Sequence, residues 1–137
     1  MGQPKIGGLV EMDARVLFVS PHSGDIETVA RMLGPVSIRC ETVASLEDAR
    51  ARLAREPYGA ILTAAYLPDG DWKDVLDAAR GLGPAPAVIV THCDADDVFW
   101  AEVLNLGCYD MLAQPFDARE VQRILTLACS HALTSAA

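Results

Sequence analysis

The sequence lacks a long hydrophobic run and is poor in basic residues, and each shortage excludes a class of function. Its apolar runs are far shorter than the roughly 18 residues needed to cross a bilayer. Eleven lysines and arginines against nineteen acidic residues give a formal net charge of -8. That charge disfavours non-specific binding to nucleic acid or to an anionic membrane, because both need clustered cations. We therefore expect a soluble protein that has a protein partner.

Cysteine is also sparse, and its spacing does not indicate a metal site. The chain has no C-x-x-C pair and no spacing typical of zinc ligands. The cysteines lie in or beside apolar segments, at Cys40, Cys93, Cys108 and Cys129. We expect reduced thiols packed as small hydrophobic side chains, which is typical of the cytoplasm. The N-terminus has glycine and proline but no continuous apolar region, so no signal peptide is predicted.

The chain does contain a regular alternation of short apolar runs and helical stripes. Five strand-then-helix units follow one another through short connections, which predicts an α/β fold with a three-layer, doubly wound parallel sheet. For five units the flavodoxin-like strand order 2-1-3-4-5 is the natural arrangement. The predicted strands are 15–20, 36–41, 60–63, 87–91 and 109–113. We expect a flexible segment over 1–13, one domain over 14–133 and a tail over 134–137.

Three motifs, in this order and at these spacings, resemble the receiver domain of bacterial two-component response regulators. They are Leu67-Pro68-Asp69-Gly70, Val88-Ile89-Val90-Thr91, and Gly107-Cys108-Tyr109-Asp110 running on to Gln114-Pro115-Phe116. The resemblance covers residues 15–132. It implies a signalling module of the phosphorelay, in which a histidine kinase transfers a phosphoryl group to an aspartate at the end of the third strand.

The same resemblance implies that the phosphorylation site is degenerate. The family's phospho-acceptor aspartate corresponds to Ala64, its two Mg²⁺-binding acidic residues to Ser20 and Pro21, and its lysine to Gln114. Only the Thr/Ser switch position is kept, as Thr91. Alanine cannot form an acyl phosphate, and Mg²⁺ binds through carboxylates. We therefore expect no phosphorylation at the usual position, lost or weak Mg²⁺ binding, no cofactor and no enzymatic activity.

The replacements of the family's three acidic residues and its lysine are mutually consistent. Without the three carboxylates, a buried lysine at the position of Gln114 would be an unpaired charge costing several kcal/mol. A neutral amide removes that cost. The sequence thus predicts that the whole pocket has been neutralised as a unit.

What remains of the function is contact with other proteins. The resemblance implies a histidine kinase or an output protein as partner, and a homodimer contact through the fourth helix, fifth strand and fifth helix. The predicted fourth helix, 94–106, has two apolar rows, which are Val98, Ala101, Leu104 and Phe99, Val103, Leu106. The candidate interface residues are Phe99, Trp100, Val103 and Met111. Packing of the second row under neighbouring helices is an equally good interpretation.

An unconventional phospho-acceptor is the first alternative, and it would restore the phosphorelay role. Asp69 and Asp71 lie in the loop after the third strand, where a solvated turn explains them more simply. Asp25 lies in the first turn of a predicted helix, where the helix dipole favours an acidic residue.

A flavodoxin-like protein that binds a small ligand or a metal is the second alternative. It would use Ser20, His22 and His92, together with Cys93 or Asp94, at the carboxyl ends of the strands. The ligand spacing typical of metal sites is absent, and no phosphate-binding glycine motif is present. A bound chromophore or stoichiometric metal would favour this alternative.

Overall fold

The computed structural model describes residues 14–93 and 96–136, and for 131–136 the backbone alone. The predicted flexible segment 1–13 and Asp94 lie outside the described residues. The last helix runs to Ala136, so the predicted tail is helical as far as that residue.

Strands and helices alternate along the described chain as the apolar patterns predict. The strands are β1 (Arg15–Val19), β2 (Arg39–Val43), β3 (Ala60–Ala64), β4 (Tyr66–Leu67), β5 (Gly70–Asp71), β6 (Ala87–His92) and β7 (Asp110–Ala113). The helices are α1 (Ser23–Leu33), α2 (Leu46–Arg55), α3 (Trp72–Arg80), α4 (Asp97–Asn105) and α5 (Ala118–Ala136).

The main sheet is parallel and has the order β2-β1-β3-β6-β7. Counted over the five main strands this is 2-1-3-4-5, so the predicted topology is confirmed. All five residues of β3 are buried, because helices cover both faces of the sheet. One core contains side chains from α2, α3 and α4, and the other contains side chains from α1 and α5. The sheet therefore separates two apolar layers.

The second strand differs from its prediction. It spans Arg39–Val43 rather than 36–41, because the N–H of Val36 bonds to the Leu33 carbonyl at 3.1 Å and forms a turn. Val36 and Ile38 are half-buried against the core that contains α1. Their apolar character reflects packing of a turn rather than a strand.

A cluster of charged side chains ties β1 and β2 to α2. The Glu41 carboxylate accepts from the Tyr58 hydroxyl at 2.5 Å and from Arg52 Nη1 at 3.1 Å. Arg15 Nη2 lies 2.8 Å from the second Glu41 oxygen and also bonds to Glu56. The hydrogen bond from Tyr58, then that from Arg15, lowers the pKa of Glu41 below its ordinary value. The folded state therefore stabilises the charged form of Glu41.

Because its folded pKa is depressed, Glu41 contributes stability above its ordinary pKa near 4.5, and that contribution is lost as the pH falls through the lower folded value. We expect Glu41→Gln to reduce the free energy of unfolding at neutral pH by about 1–3 kcal/mol. The difference between the two proteins should shrink as the pH falls below 4.5. Urea unfolding at several pH values measures this. Glu27→Gln, at an exposed position of α1, is the control, and a difference that does not depend on pH would contradict the assignment.

Candidate functional site

The carboxyl ends of β1, β3, β6 and β7 meet at one edge of the sheet, where chemistry gathers in open α/β folds. Ala64 on β3 is the register partner of Thr91 on β6. The N–H of Ala65 donates to the Thr91 carbonyl at 3.1 Å, and the N–H of Gln114 donates to the His92 carbonyl at 3.2 Å. The structure thus brings three of the sequence-predicted positions, Ala64, Thr91 and Gln114, to this edge.

The two positions after β1 also lie there. Ser20 is fully buried, and its N–H donates to the Val43 carbonyl at 2.9 Å. Its hydroxyl oxygen accepts from the His22 N–H at 3.1 Å. Pro21 is exposed. Ser20 is therefore held by one backbone bond to β2, and its hydroxyl stabilises the turn before α1.

These five positions make the site electrically neutral. Ala64 is 8% exposed and Thr91 is 3% exposed, so both are packed rather than solvated. A methyl group, two hydroxyls, a proline ring and an amide provide neither a carboxylate nucleophile nor a carboxylate ligand. Acyl phosphate formation at Ala64 has no chemical route in this arrangement.

Asp69 caps a neighbouring helix. Its two carboxylate oxygens accept from the N–H of Leu46 at 2.8 Å and from the N–H of Glu47 at 2.9 Å. These hydrogen bonds lower the pKa of Asp69, with the Leu46 bond the larger cause. The turn that contains Asp69 is therefore attached to the start of α2, which is a more specific role than a solvated turn.

Asp71 caps the helix that follows it. Its Oδ1 accepts from the N–H of Lys73 at 2.9 Å and from that of Asp74 at 3.3 Å, while Asp74 Oδ2 accepts from the Asp71 N–H at 3.1 Å. This reciprocal arrangement is a capping box. Asp25 lies in the first turn of α1, as the sequence predicts. Each of the three aspartates thus occupies a structural position.

A chain of rings lies beside the neutral site. The His92 ring centroid is 5.5 Å from that of Tyr66 and 4.7 Å from that of Phe99. Phe99 continues the contact to Trp72, with centroids 6.0 Å apart. Beside these rings Lys73 Nζ pairs with Glu102 Oε2 at 3.1 Å. These contacts join the loop after β3, the end of β6, and α3 to α4.

On α4, the apolar row that faces solvent is not the row predicted to form the interface. Val103 and Met111, which the sequence offers as interface residues, are fully buried, so that part of the prediction is wrong. Phe99 is half-buried against Trp72 and His92, and Trp100 is 38% exposed. Of the candidate interface residues, Trp100 is thus the exposed one, and the other large apolar side chains exposed on α4 are Val98 and Leu104, which were not among the candidates.

The histidine-based metal site finds little support in the geometry. In the part of the chain that the structure describes, no three His, Cys, Asp or Glu side chains form a cluster that could hold a metal ion. His22 is exposed at the start of α1, whereas the His92 ring contacts Tyr66 and Phe99. Asp94 lies outside the described residues.

Sequence reasoning missed three features that surround the site. It did not predict the short hairpin of β4 and β5, the capping of α2 by Asp69, or the ring chain through His92. The hairpin has a usable signal, because Pro68-Asp69-Gly70 is a typical turn sequence. The other two join residues far apart in the sequence and have no local signal.

Comparison with known proteins places the fold. No model of a known protein family matches the chain. The chain is 26% identical over 115 residues to the response regulator protein PilR of Pseudomonas aeruginosa, covering 83% of this chain and 26% of that protein. The chain therefore spans about a quarter of the length of the curated relative that it matches.

Two solved structures are also similar to this chain. The receiver domain of the sensor histidine kinase PA1611 of P. aeruginosa, crystallised with a magnesium ion in its active site cleft, matches with a TM-score of 0.75 and 27% identity, over 85% of this chain and 98% of that one. The beryllofluoride-activated NtrC4 receiver domain dimer matches with a TM-score of 0.80 and 20% identity, over 87% of this chain and 98% of that one.

The described residues include no helix that is long and apolar enough to span a membrane.

The ring chain yields a test of its structural role. We expect His92→Ala to lower the free energy of unfolding by about 1 kcal/mol, because the variant loses two ring contacts at a half-buried position. Chemical denaturation measures this. His22→Ala is the matched control, since His22 is exposed and its side chain makes no capping hydrogen bond. Equal effects of the two variants would show that the ring contacts contribute nothing.

Proposed function

We propose that this response regulator receiver domain signals by protein contact and is not phosphorylated at the position its family uses. It acts as a binding module rather than an enzyme, in the cytoplasm, and it requires neither Mg²⁺ nor another cofactor. Its partner is a histidine kinase or an output protein of a two-component pathway. The observation that carries the proposal is the neutral edge at which Ala64 is paired with Thr91.

Packing around that edge supports the proposal. In a phosphorylated receiver, charge introduced at the end of the third strand needs ligands that stabilise it. Here Ser20 and Ala64 are packed within the fold, and Asp69 and Asp71 are engaged as helix caps. A phosphoryl group at the end of β3 would therefore find no carboxylate-held metal and no lysine to stabilise its charge. The present arrangement favours one stable conformation instead.

The ring chain supports the same conclusion. His92 contacts rings of both the loop after β3 and α4, so the two segments are joined without a bound phosphate. Met111, on β7, is fully buried and has no aromatic ring to move between inward and outward positions. We infer that α4 is held constitutively in the position that its partner recognises.

Intact-mass spectrometry tests the central proposal. After incubation with Mg²⁺ and acetyl phosphate, the natural protein should show no phosphoryl adduct, because Ala64 has no nucleophile. A single adduct would contradict the proposal, and mapping it would identify an unconventional acceptor such as Asp69 or Asp25.

A restored variant provides the positive control for that experiment. Ser20→Asp, Pro21→Asp, Ala64→Asp and Gln114→Lys together return the side chains that the resemblance implies. We expect one phosphoryl adduct on this variant and saturable Mg²⁺ binding by tryptophan fluorescence. The natural protein should show no saturation at about millimolar metal, and clear saturation would count against a neutral site.

The surface through which we propose a homodimer consists of α4, β7 and α5. Val98 and Leu104 are 78% and 43% exposed on α4, and β7 is the last strand on its side of the sheet that the described residues form. Arg119 and Arg123 are exposed on α5, and α4 carries Asp97 and Glu102, the second of which also pairs with Lys73. Opposite charges on two elements suit a two-fold interface, in which α4 of one copy meets α5 of the other. The dimer of the NtrC4 receiver domain supports this idea by similarity.

Replacing both Val98 and Leu104 with serine should reduce self-association without changing stability, because both side chains are exposed. Light scattering across a range of protein concentrations gives the mass. Phe99→Ser is the contrasting variant, since its ring is half-buried, and it should lower the melting temperature. A natural protein that stays monomeric at every concentration would remove the homodimer from the proposal.

A further inference from the structure

Among the described residues, no strand pairs with β2 on the side away from β1, so β2 forms the open edge of the sheet opposite β7. In the parallel pair of β1 and β2, the Arg39 N–H donates to the Ala14 carbonyl at 3.0 Å, and the Val43 carbonyl accepts from the Ser20 N–H at 2.9 Å. Backbone groups alternate in direction along a strand. The N–H and C=O groups of Cys40 and Thr42 therefore point away from β1, toward the open edge.

A groove of about 530 Å³ lies along this edge. Its lining residues come from α1, the end of β2 and α2, and they are Ile26, Thr42, Val43, Ala44, Asp48, Ala51, Arg52 and Arg55. The four α2 residues share one face of the helix, and at 1.5 Å per residue Asp48 to Arg55 span about 10 Å. An extended chain rises about 3.3 Å per residue. The groove thus accommodates about three or four residues of extended peptide.

The charges along the groove indicate which kind of side chain a peptide bound there would carry. Arg52 Nη1 is engaged with Glu41 at 3.1 Å. In the described part of the chain, no carboxylate forms an ion pair with Arg55, which is exposed. Asp48, at the other end of the groove, is the only acidic residue among those that line it. The end near Arg55 is therefore locally cationic in a protein whose net charge is -8.

We propose that the edge of β2 binds a short extended segment of a partner protein, with an acidic side chain of that segment paired to Arg55. The backbone of the segment adds a strand to the sheet through Cys40 and Thr42, as in other cases of strand addition. This inference does not depend on the state of the site at Ala64, and it uses the edge of the sheet opposite the α4–β7–α5 face.

A single extended chain suits this edge better than a second copy of the protein. Helices α1 and α2 flank β2 on the two faces of the sheet, so the edge lies at the bottom of a groove. One strand occupies only about 4.8 Å beyond β2. A second copy would bring its own α1 and α2 against the same walls, together with its own net negative charge.

Two synthetic peptides test the proposal. One is a capped heptapeptide of alternating valine and glutamate, and its twin has lysine in place of glutamate. Each is titrated into isotope-labelled protein, to about 1 mM, while amide resonances are followed by NMR. The overall negative charge of the protein favours the lysine peptide. A preference for the glutamate peptide would thus report local recognition rather than bulk electrostatics.

We expect the glutamate peptide to shift the amide resonances of Cys40 and Thr42 and to bind about fivefold more tightly than the lysine peptide. Arg55→Glu should reverse that preference. Thr42→Pro removes one outward N–H, at an edge position that tolerates proline, and should abolish binding of both peptides. Thr42→Ala keeps the N–H and should bind as the natural protein does.

Several results would overturn the proposal. These are absence of binding up to about 1 mM, equal binding by Thr42→Pro and Thr42→Ala, or shifts confined to residues away from β2. Changes in the Cys40 and Thr42 resonances that follow protein concentration without peptide would assign the edge to a second copy instead. Arg55→Glu keeps the test valid if Thr42→Pro does not fold, because Arg55 is exposed on α2.

Discussion

The parallel pairing of β3 between β1 and β6 is the constraint on which the rest of the structure depends. Every residue of β3 is buried, so the strand can lie only at the centre of the sheet, with helices on both faces. Its register with β6 places Ala64 beside Thr91. Because the strands are parallel, their carboxyl ends form one edge, and all five sequence-predicted site positions lie there.

The neutral edge is followed by a loop whose two acidic residues stabilise helices. A carboxylate at the end of β3 would need a cation or metal nearby, whereas a methyl group needs only to be packed. The acidic residues of the next loop have structural roles. Asp69 stabilises the start of α2 and Asp71 stabilises the start of α3. Two helix caps therefore hold this loop in place.

The two proposed surfaces lie at opposite edges of the sheet, and the edges differ in chemistry: one is apolar and the other ends at a positive charge. The β7 edge lies beside an apolar helix, α4, whose Val98 and Leu104 are exposed. The β2 edge lies in a groove that ends at Arg55, which forms no ion pair within the described part of the chain. The cluster centred on Glu41 holds β2 and α2 together, which fixes one wall of this groove against the strand. Because the two surfaces lie at opposite edges of the sheet, a partner bound at one edge leaves the other accessible.

The sequence by itself determined the fold class, the strand order and the chemistry that the site lacks. Apolar periodicity and turn residues are local properties, and an alanine at position 64 has no carboxylate in any structure. Tertiary structure decided which apolar row of α4 faces solvent, because the two rows look alike until β6 and α3 contact one of them. It also decided that Asp69 caps α2 and that His92 joins Tyr66 to Phe99. Such contacts depend on how separate segments pack in space, and the spacing of residues along the chain does not encode that packing locally.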